Sequence, residues 1–177
     1  MDTTYFNRNL SVMVFRSWDL RKKNYFKFLR YETIKDYVQG IDYLKSKGVD
    51  IKAIVCDGRR GIFQMVKDIP IQMCQFHQVA IVRRYLTNNP KLEASIELVQ
   101  ITRRLTKSNE ENFRLMLNNW FEKWETFLKE KTVNEETKRW SYTHKRLRSA
   151  YRSLKGNLER LFVYQNYEGM PNTTNGL

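Results

Sequence analysis

Two aspartates in this chain are candidate ligands for a metal ion. Asp57 ends the apolar run 51–56 and is followed by the turn residues 58–61, so it is predicted to lie at the tip of a strand. Asp2 stands just ahead of another strand-like run, 10–15. Carboxylate oxygens on neighbouring strands suit a divalent cation beside a phosphate. The pattern therefore favours metal-dependent phosphodiester chemistry, although an aspartate after an apolar run is equally typical of a turn or a helix cap.

The charge balance indicates what such a site would act on. Lysine and arginine total 32 against 19 acidic residues, which gives a net charge of +13 in 177 residues. A cationic surface of this strength favours a phosphate backbone as partner, because binding releases condensed counterions. The alternative is an excess of charge that is merely solvated. No secretory signal or membrane-length apolar run is visible, and two cysteines cannot form a disulfide scaffold, so a soluble cytoplasmic protein is expected.

The first half of the chain alternates between strand and helix patterns. Strands are predicted at 10–15 and 25–29, joined as an antiparallel pair by the polar connection 17–24. A helix over 33–47 follows, because apolar residues recur there every three or four positions and Gly48 provides a stop. The strand that ends at Asp57, a short helix at 62–66 and a strand at 71–74 complete this part.

The second half is predicted to be almost entirely helical. Pro90 is expected at the first position of one helix, and Ser108 with Glu111 forms a capping-box pattern for the next. That next helix carries a broad apolar stripe, which favours a core face over a base-stacking surface; its members are Phe113, Met116, Leu117, Trp120, Phe121, Trp124, Phe127 and Leu128. A further helical region is predicted from about 135 to 164, and a loop from 167 to 177.

One side of that last helical region is basic. Its apolar side includes Leu147, Tyr151, Leu154, Leu158, Leu161 and Phe162. The candidate DNA contacts on the other side are Arg146, Arg148, Arg152 and Lys155, flanked by Lys145 and Arg160. A solvated helix face is the equally weighted alternative.

The order of these elements resembles a known family. Asp2-Thr3-Thr4-Tyr5-Phe6, Val55-Cys56-Asp57-Gly58, Cys74-Gln75-Phe76-His77 and Asn172-Thr173-Thr174-Asn175 follow one another as in the catalytic domain of Mutator-type bacterial insertion-sequence transposases. The resemblance implies an α/β fold of the α+β mixed-sheet kind, with a ribonuclease H-like core and a large all-helical insertion after the second catalytic acid. It implies a core at 1–80 with an incomplete first strand, an insertion at 81–166, and a loop at 167–177 leading to a missing catalytic helix.

The resemblance also assigns roles to individual residues. Asp2 is similar to the first and Asp57 to the second acid of an Asp-Asp-Glu site that holds Mg²⁺ or Mn²⁺, while the third acid would follow the 172–177 loop. The implied activity is DNA cleavage and strand transfer during transposition of an insertion sequence, in a homo-oligomer bound to transposon ends and target DNA near the nucleoid. With two acids, this chain is expected to lack full activity.

The Cys-x-x-His element has two interpretations. The chain contains only two cysteines and two histidines, which makes a complete structural zinc site an unfavourable interpretation. Cys74 is therefore expected to be buried, with His77 facing the active-site cleft and contacting DNA. A structural histidine is the favoured alternative for His77.

Two other functional classes stay open. The chain can be a non-catalytic, basic nucleic-acid-binding module, with salt-sensitive and metal-independent affinity. It can also be a helical interaction protein whose Trp120–Trp124 stripe forms an oligomer interface.

Overall fold

The chain begins with a three-stranded antiparallel meander. In a computed structural model that describes residues 1–18 and 23–174, the strands β1 (Asp2–Asn7), β2 (Leu10–Arg16) and β3 (Lys23–Leu29) lie side by side in that order. Side chains alternate between the two faces of β2, so that Ser11, Met13 and Phe15 are buried. The predicted antiparallel pair is confirmed. Residues 19–22 of the predicted connection lie outside the described residues.

A helix covers the buried face of this sheet. Helix α1 (Ile34–Ser46) begins at the Thr33–Asp36 capping box and ends just before Gly48, whose φ of +78° suits a residue without a side chain. Gly40 lets the helix approach closely, since a Cβ there would lie 2.6 Å from the Phe15 ring. The predicted helix over 33–47 is confirmed.

Two short parallel strands follow. Strand β4 (Ile54–Cys56) pairs with β5 (Ile71–Met73), and helix α2 (Arg60–Met65) connects them. The predicted strand ending at Asp57 is thus present but short. The Met1 amine donates a 2.7 Å hydrogen bond to Val55 O, which aligns the beginning of β1 with β4.

Most of the remaining chain is helical. The elements are α3 (Gln75–Leu86), α4 (Glu93–Arg103), a 3₁₀ turn (Leu105–Lys107), α5 (Glu110–Lys129), β6 (Lys131–Val133), β7 (Trp140–Tyr142), α6 (Lys145–Leu161) and a 3₁₀ turn (Val163–Asn166). Two units result: residues 1–76 with 160–177 form a mixed unit, and residues 77–159 form a helical unit. These limits differ from the predicted core at 1–80 and insertion at 81–166: residues 77–80 lie in the helical unit, and residues 160–166 lie in the mixed unit.

The helix predicted to start near residue 135 is wrong in its first part. Residues 131–142 form an antiparallel hairpin, and α6 begins only at Lys145. The β-branched Thr132 and Val133 and the aromatic Trp140 and Tyr142 favour strands here, and Lys138 adopts a φ of +53° that breaks a helix. The prediction of an all-helical insertion is incorrect to the same extent.

Two predicted helix starts are also wrong. Helix α4 begins at Glu93 with Leu92 as its N-cap, so Pro90 lies before the helix and not at its first position. Helix α5 is capped by Asn109, whose side chain accepts a hydrogen bond from the Asn112 N–H. The Ser108 hydroxyl instead donates to Arg104 O, so it is committed to the preceding turn.

The apolar stripe of α5 is a core face, as predicted. Phe113, Leu117, Trp120 and Leu128 are buried, and the Trp120 indole donates to Ala94 O. The Tyr151 ring of α6 stacks on the Trp120 and Phe121 rings at centroid distances of 5.4 and 4.8 Å. An oligomer interface at Trp124, which is half-buried, stays a prediction.

Within the described residues, no helix combines the length and apolar character needed to cross a bilayer.

Candidate metal site

The two candidate acids lie at adjoining strand ends. Asp2 comes one residue after Met1, and Asp57 comes two residues after Val55, which are the residues joined by the hydrogen bond between β1 and β4. Burial lowers the pKa of the Met1 amine below its usual 8.0, while Cys56 and both aspartates act electrostatically to raise it. Both carboxylates therefore lie within electrostatic reach of one group.

The turn after β4 is built around a glycine. Gly58 has a φ of +91°, and a Cβ at this position would lie 2.6 Å from the Cε atom of the buried Met73 side chain. The Arg59 N–H donates to Asp57 Oδ1 at 3.2 Å, which fixes the carboxylate against its own turn. A residue with a side chain does not fit at position 58 without displacing Met73.

A buried carboxylate supports this turn from the other side. The Glu32 side chain is 4% exposed, and its Oε2 lies 3.1 Å from Arg59 Nη2. Arg59 Nη1 also donates to Glu32 O at 2.8 Å. The two contacts tie the residue after Gly58 to the segment before α1, so Glu32 positions the Asp57 turn.

Two tyrosines complete the shell around Glu32. Tyr5 donates to Glu32 Oε2 at 2.8 Å, and Tyr37 donates to Oε1. Because the Tyr37 hydroxyl uses its proton there, it accepts the 2.8 Å hydrogen bond from Thr3. Burial, together with the hydrogen bond to Glu32, raises the pKa of Tyr37 far above 10.0 and keeps the phenol neutral.

The carboxylates that the structure describes near the Asp57 turn do not form a complete ligand set for a divalent cation. Among residues 1–18 and 23–174, no three His, Cys, Asp or Glu side chains converge on a point where they could share a metal ion. Glu32 is engaged by an arginine and two tyrosines, so it is not a third ligand. Asp2 and Asp57 supply carboxylates, the kind of ligand by which Mg²⁺ is commonly held in ones or twos, with water and substrate phosphate supplying the other oxygens.

A cavity of about 830 Å³ lies beside β4. Its walls include Trp18, Leu44, Ile51 and Ala53, whereas Asp2 and Asp57 do not line it. Met1 and Val55 also line it, so the cavity adjoins the strand ends that carry the two aspartates.

Cys74 is buried, as predicted, and it holds a distant part of the chain. Its Sγ accepts hydrogen bonds from the Thr174 N–H at 3.3 Å and the Thr174 hydroxyl at 3.4 Å, and lies 3.4 Å from Thr173 Oγ1. Gln75 and Asn172 add two hydrogen bonds, of 2.9 and 3.0 Å. Cys74 and the Thr-Thr segment, about a hundred positions apart, thus meet within the mixed unit. Residues 175–177 of the predicted loop lie outside the described residues.

The remaining candidates belong to the helical unit. His77 is half-buried in α3, and its contact with DNA stays a prediction. Arg146, Arg152 and Lys155 are exposed along α6, although Arg146 donates to Arg84 O at 2.6 Å. Arg148 is half-buried, donates to Leu128 O and lies over the Tyr142 ring, so it has a structural role.

The sequence interpretation missed Glu32, Arg59 and Tyr37. Glu32 precedes the Thr33 cap, and Tyr37 was assigned only to the apolar face of α1. Arg59 is two positions from Asp57, but no local spacing joins Glu32 and Tyr37 to it, because their association depends on how α1 packs against β1. A tyrosine on a buried helix face was the one available signal, since its hydroxyl requires a partner.

Comparison with known proteins gives no relationship: no family model, curated protein or solved structure matches the chain.

Proposed function

We propose that this chain is catalytic-domain material of a DNA transposase resembling the Mutator-type bacterial insertion-sequence enzymes, with a ribonuclease H-like core. The observation that carries the proposal is the position of Asp2 and Asp57 at adjoining ends of β1 and β4. The meander, the covering helix and the parallel pair in the same unit support it. So does the junction of Cys74 with Thr173 and Thr174, since these residues belong to two of the motifs that carry the resemblance.

The chemistry follows from the kinds of side chain at the site. Asp2 and Asp57 would offer hard, anionic oxygens to Mg²⁺ or Mn²⁺, which when bound activates a water nucleophile and stabilises a leaving oxygen in phosphoryl transfer. Arg59 and Glu32 hold the Asp57 turn in place. The net charge of +13 draws the DNA backbone to the protein. The substrates would be transposon ends and target DNA, and the active assembly a homo-oligomer.

Metal binding tests the proposal directly. Mn²⁺ titration of the full chain, followed by electron paramagnetic resonance, is expected to show a weak site whose affinity falls at least about tenfold in Asp57→Asn and in Asp2→Asn. Asp68→Asn, which alters an exposed acid, is the matched control and should bind as the unaltered chain does. Equal Mn²⁺ binding by all four proteins would refute the site.

A second function is favoured by the basic face of α6. Arg152 and Lys155 are exposed there, which suits a non-catalytic nucleic-acid-binding module. In that case duplex affinity falls with salt, is unchanged by EDTA and by Asp57→Asn, and weakens in Arg152→Gln combined with Lys155→Gln. Magnesium-dependent nicking of duplex DNA that disappears in Asp57→Asn would exclude this alternative.

A further inference from the structure

The hairpin of the helical unit presents one face that combines two aromatic rings with a lysine and a valine. In the β6–β7 register Lys131 pairs with Tyr142 and Val133 with Trp140, so these four side chains share a face. Lys131 Nζ lies 4.1 Å from the centre of the Trp140 ring, and the Trp140 and Tyr142 rings meet edge to face at 5.5 Å. Lys131, Trp140 and Tyr142 therefore form a strip in which two rings lie beside one positive charge.

The base of the hairpin is fixed to the neighbouring helices. The Arg148 guanidinium lies 3.6 Å from the centre of the Tyr142 ring and donates to Leu128 O. The Thr143 N–H donates to Glu130 O at 3.0 Å, and the His144 ring stacks on Phe127 at 3.7 Å. These contacts orient the strip before any ligand binds, which lowers the entropy cost of binding.

The outer end of the strip is left open. The Trp140 side chain is 56% exposed and Val133 is 57% exposed. An aromatic side chain stabilises a hairpin most when it is covered by other residues. Trp140 remains more than half exposed although Lys131 lies over its ring. Glu135 and Glu136 are exposed in the tip turn, which the Asn134 side chain closes.

We propose that this hairpin face is a binding site for unpaired bases of a nucleic acid. One base stacks on Trp140, while Lys131 neutralises an adjoining phosphate. Stacking on exposed aromatic side chains beside cations is how single strands are held without sequence preference. The inference rests on the proposed function only in taking nucleic acid as the partner, and it needs neither the acids nor a metal.

Binding of a labelled 15-nucleotide thymidine strand to the full chain in EDTA tests the site. Trp140→Ala is expected to weaken this binding about 5- to 150-fold, the equivalent of about 1–3 kcal/mol for one stacked base. Affinity for a matched 15-base-pair duplex should change less than about twofold, because its bases are already stacked. Trp140→Phe should restore most of the single-strand affinity, since it keeps an aromatic face.

The control variant is Tyr85→Ala, which removes another exposed aromatic ring of the helical unit. The proposal is overturned if Trp140→Ala and Tyr85→Ala weaken single-strand binding equally, or if neither does. It is also overturned if poly-glutamate competes with the single strand at equal charge concentration and no longer competes in Trp140→Ala. The strip would then be a site for acidic protein. Since EDTA is present throughout, failure here leaves the Mn²⁺ result for Asp57→Asn unaffected, and the reverse also holds.

Discussion

Gly58 shapes the turn that carries Asp57, and its replacement by alanine tests how that turn is built. Its φ of +91° is unfavourable for a residue with a side chain, at a cost of about 1–2 kcal/mol. The new Cβ would also lie 2.6 Å from Met73 Cε and 2.7 Å from Sδ, and displacing this buried side chain costs about 1–3 kcal/mol. Gly58→Ala is therefore expected to lower the free energy of unfolding by about 2–5 kcal/mol.

Two other glycines separate these contributions. Gly48 has a φ of +78° with open space around it, so Gly48→Ala should lower the free energy of unfolding by only the backbone cost, about 1–2 kcal/mol. Gly156 lies inside α6, also with open space, and Gly156→Ala should raise the free energy of unfolding by about 0.5–1 kcal/mol.

Urea unfolding followed by circular dichroism measures all three variants against the unaltered chain. Hydrogen exchange of peptides within residues 53–76 reports whether each loss of stability belongs to the mixed unit. If Gly58→Ala costs no more than Gly48→Ala, the argument from Met73 is wrong. If both cost less than about 0.5 kcal/mol, the argument from the backbone is wrong as well.

Three further perturbations follow from the same contacts. Glu32→Gln should lower the free energy of unfolding by about 1.5–3 kcal/mol and weaken Mn²⁺ binding, because Arg59 loses its buried charge partner. An unchanged midpoint of urea unfolding would contradict this. Because the pKa of Tyr37 is raised, the folded state keeps a proton that the unfolded state loses above pH 10.0. The free energy of unfolding should therefore fall above that pH by up to about 1.4 kcal/mol per pH unit, and less steeply in Tyr37→Phe. Equal slopes of the two proteins in alkaline urea titrations would refute the assignment. Cys74→Ala should speed hydrogen exchange at the Thr174 amide about tenfold, and unchanged exchange would show that the sulfur does not hold that segment.

The local elements could be predicted because their signals are local. The β2–β3 pair, helix α1 with its stop at Gly48, and the core face of α5 each follow from residues a few positions apart. Asp57 was placed at a strand end for the same reason. The prediction failed where a local signal was compatible with two structures. Ser108 bonds to the preceding turn instead of capping α5, and residues 131–142 form a hairpin in place of a helix.

The sequence by itself determined the α/β character of the first part, the helical character of most of the second, the strongly basic charge and the position of Asp57 at a strand tip. The tertiary structure alone decided that Glu32 supports Arg59, that Tyr37 is held neutral, and that Cys74 meets Thr173 and Thr174. Periodicity and capping depend on neighbours within one helix or strand turn, and can therefore be read along the chain. Hydrogen bonds between residues 27 or 100 positions apart form only after sheet and helix have packed, because packing supplies both the proximity and the burial that make a polar group require a partner.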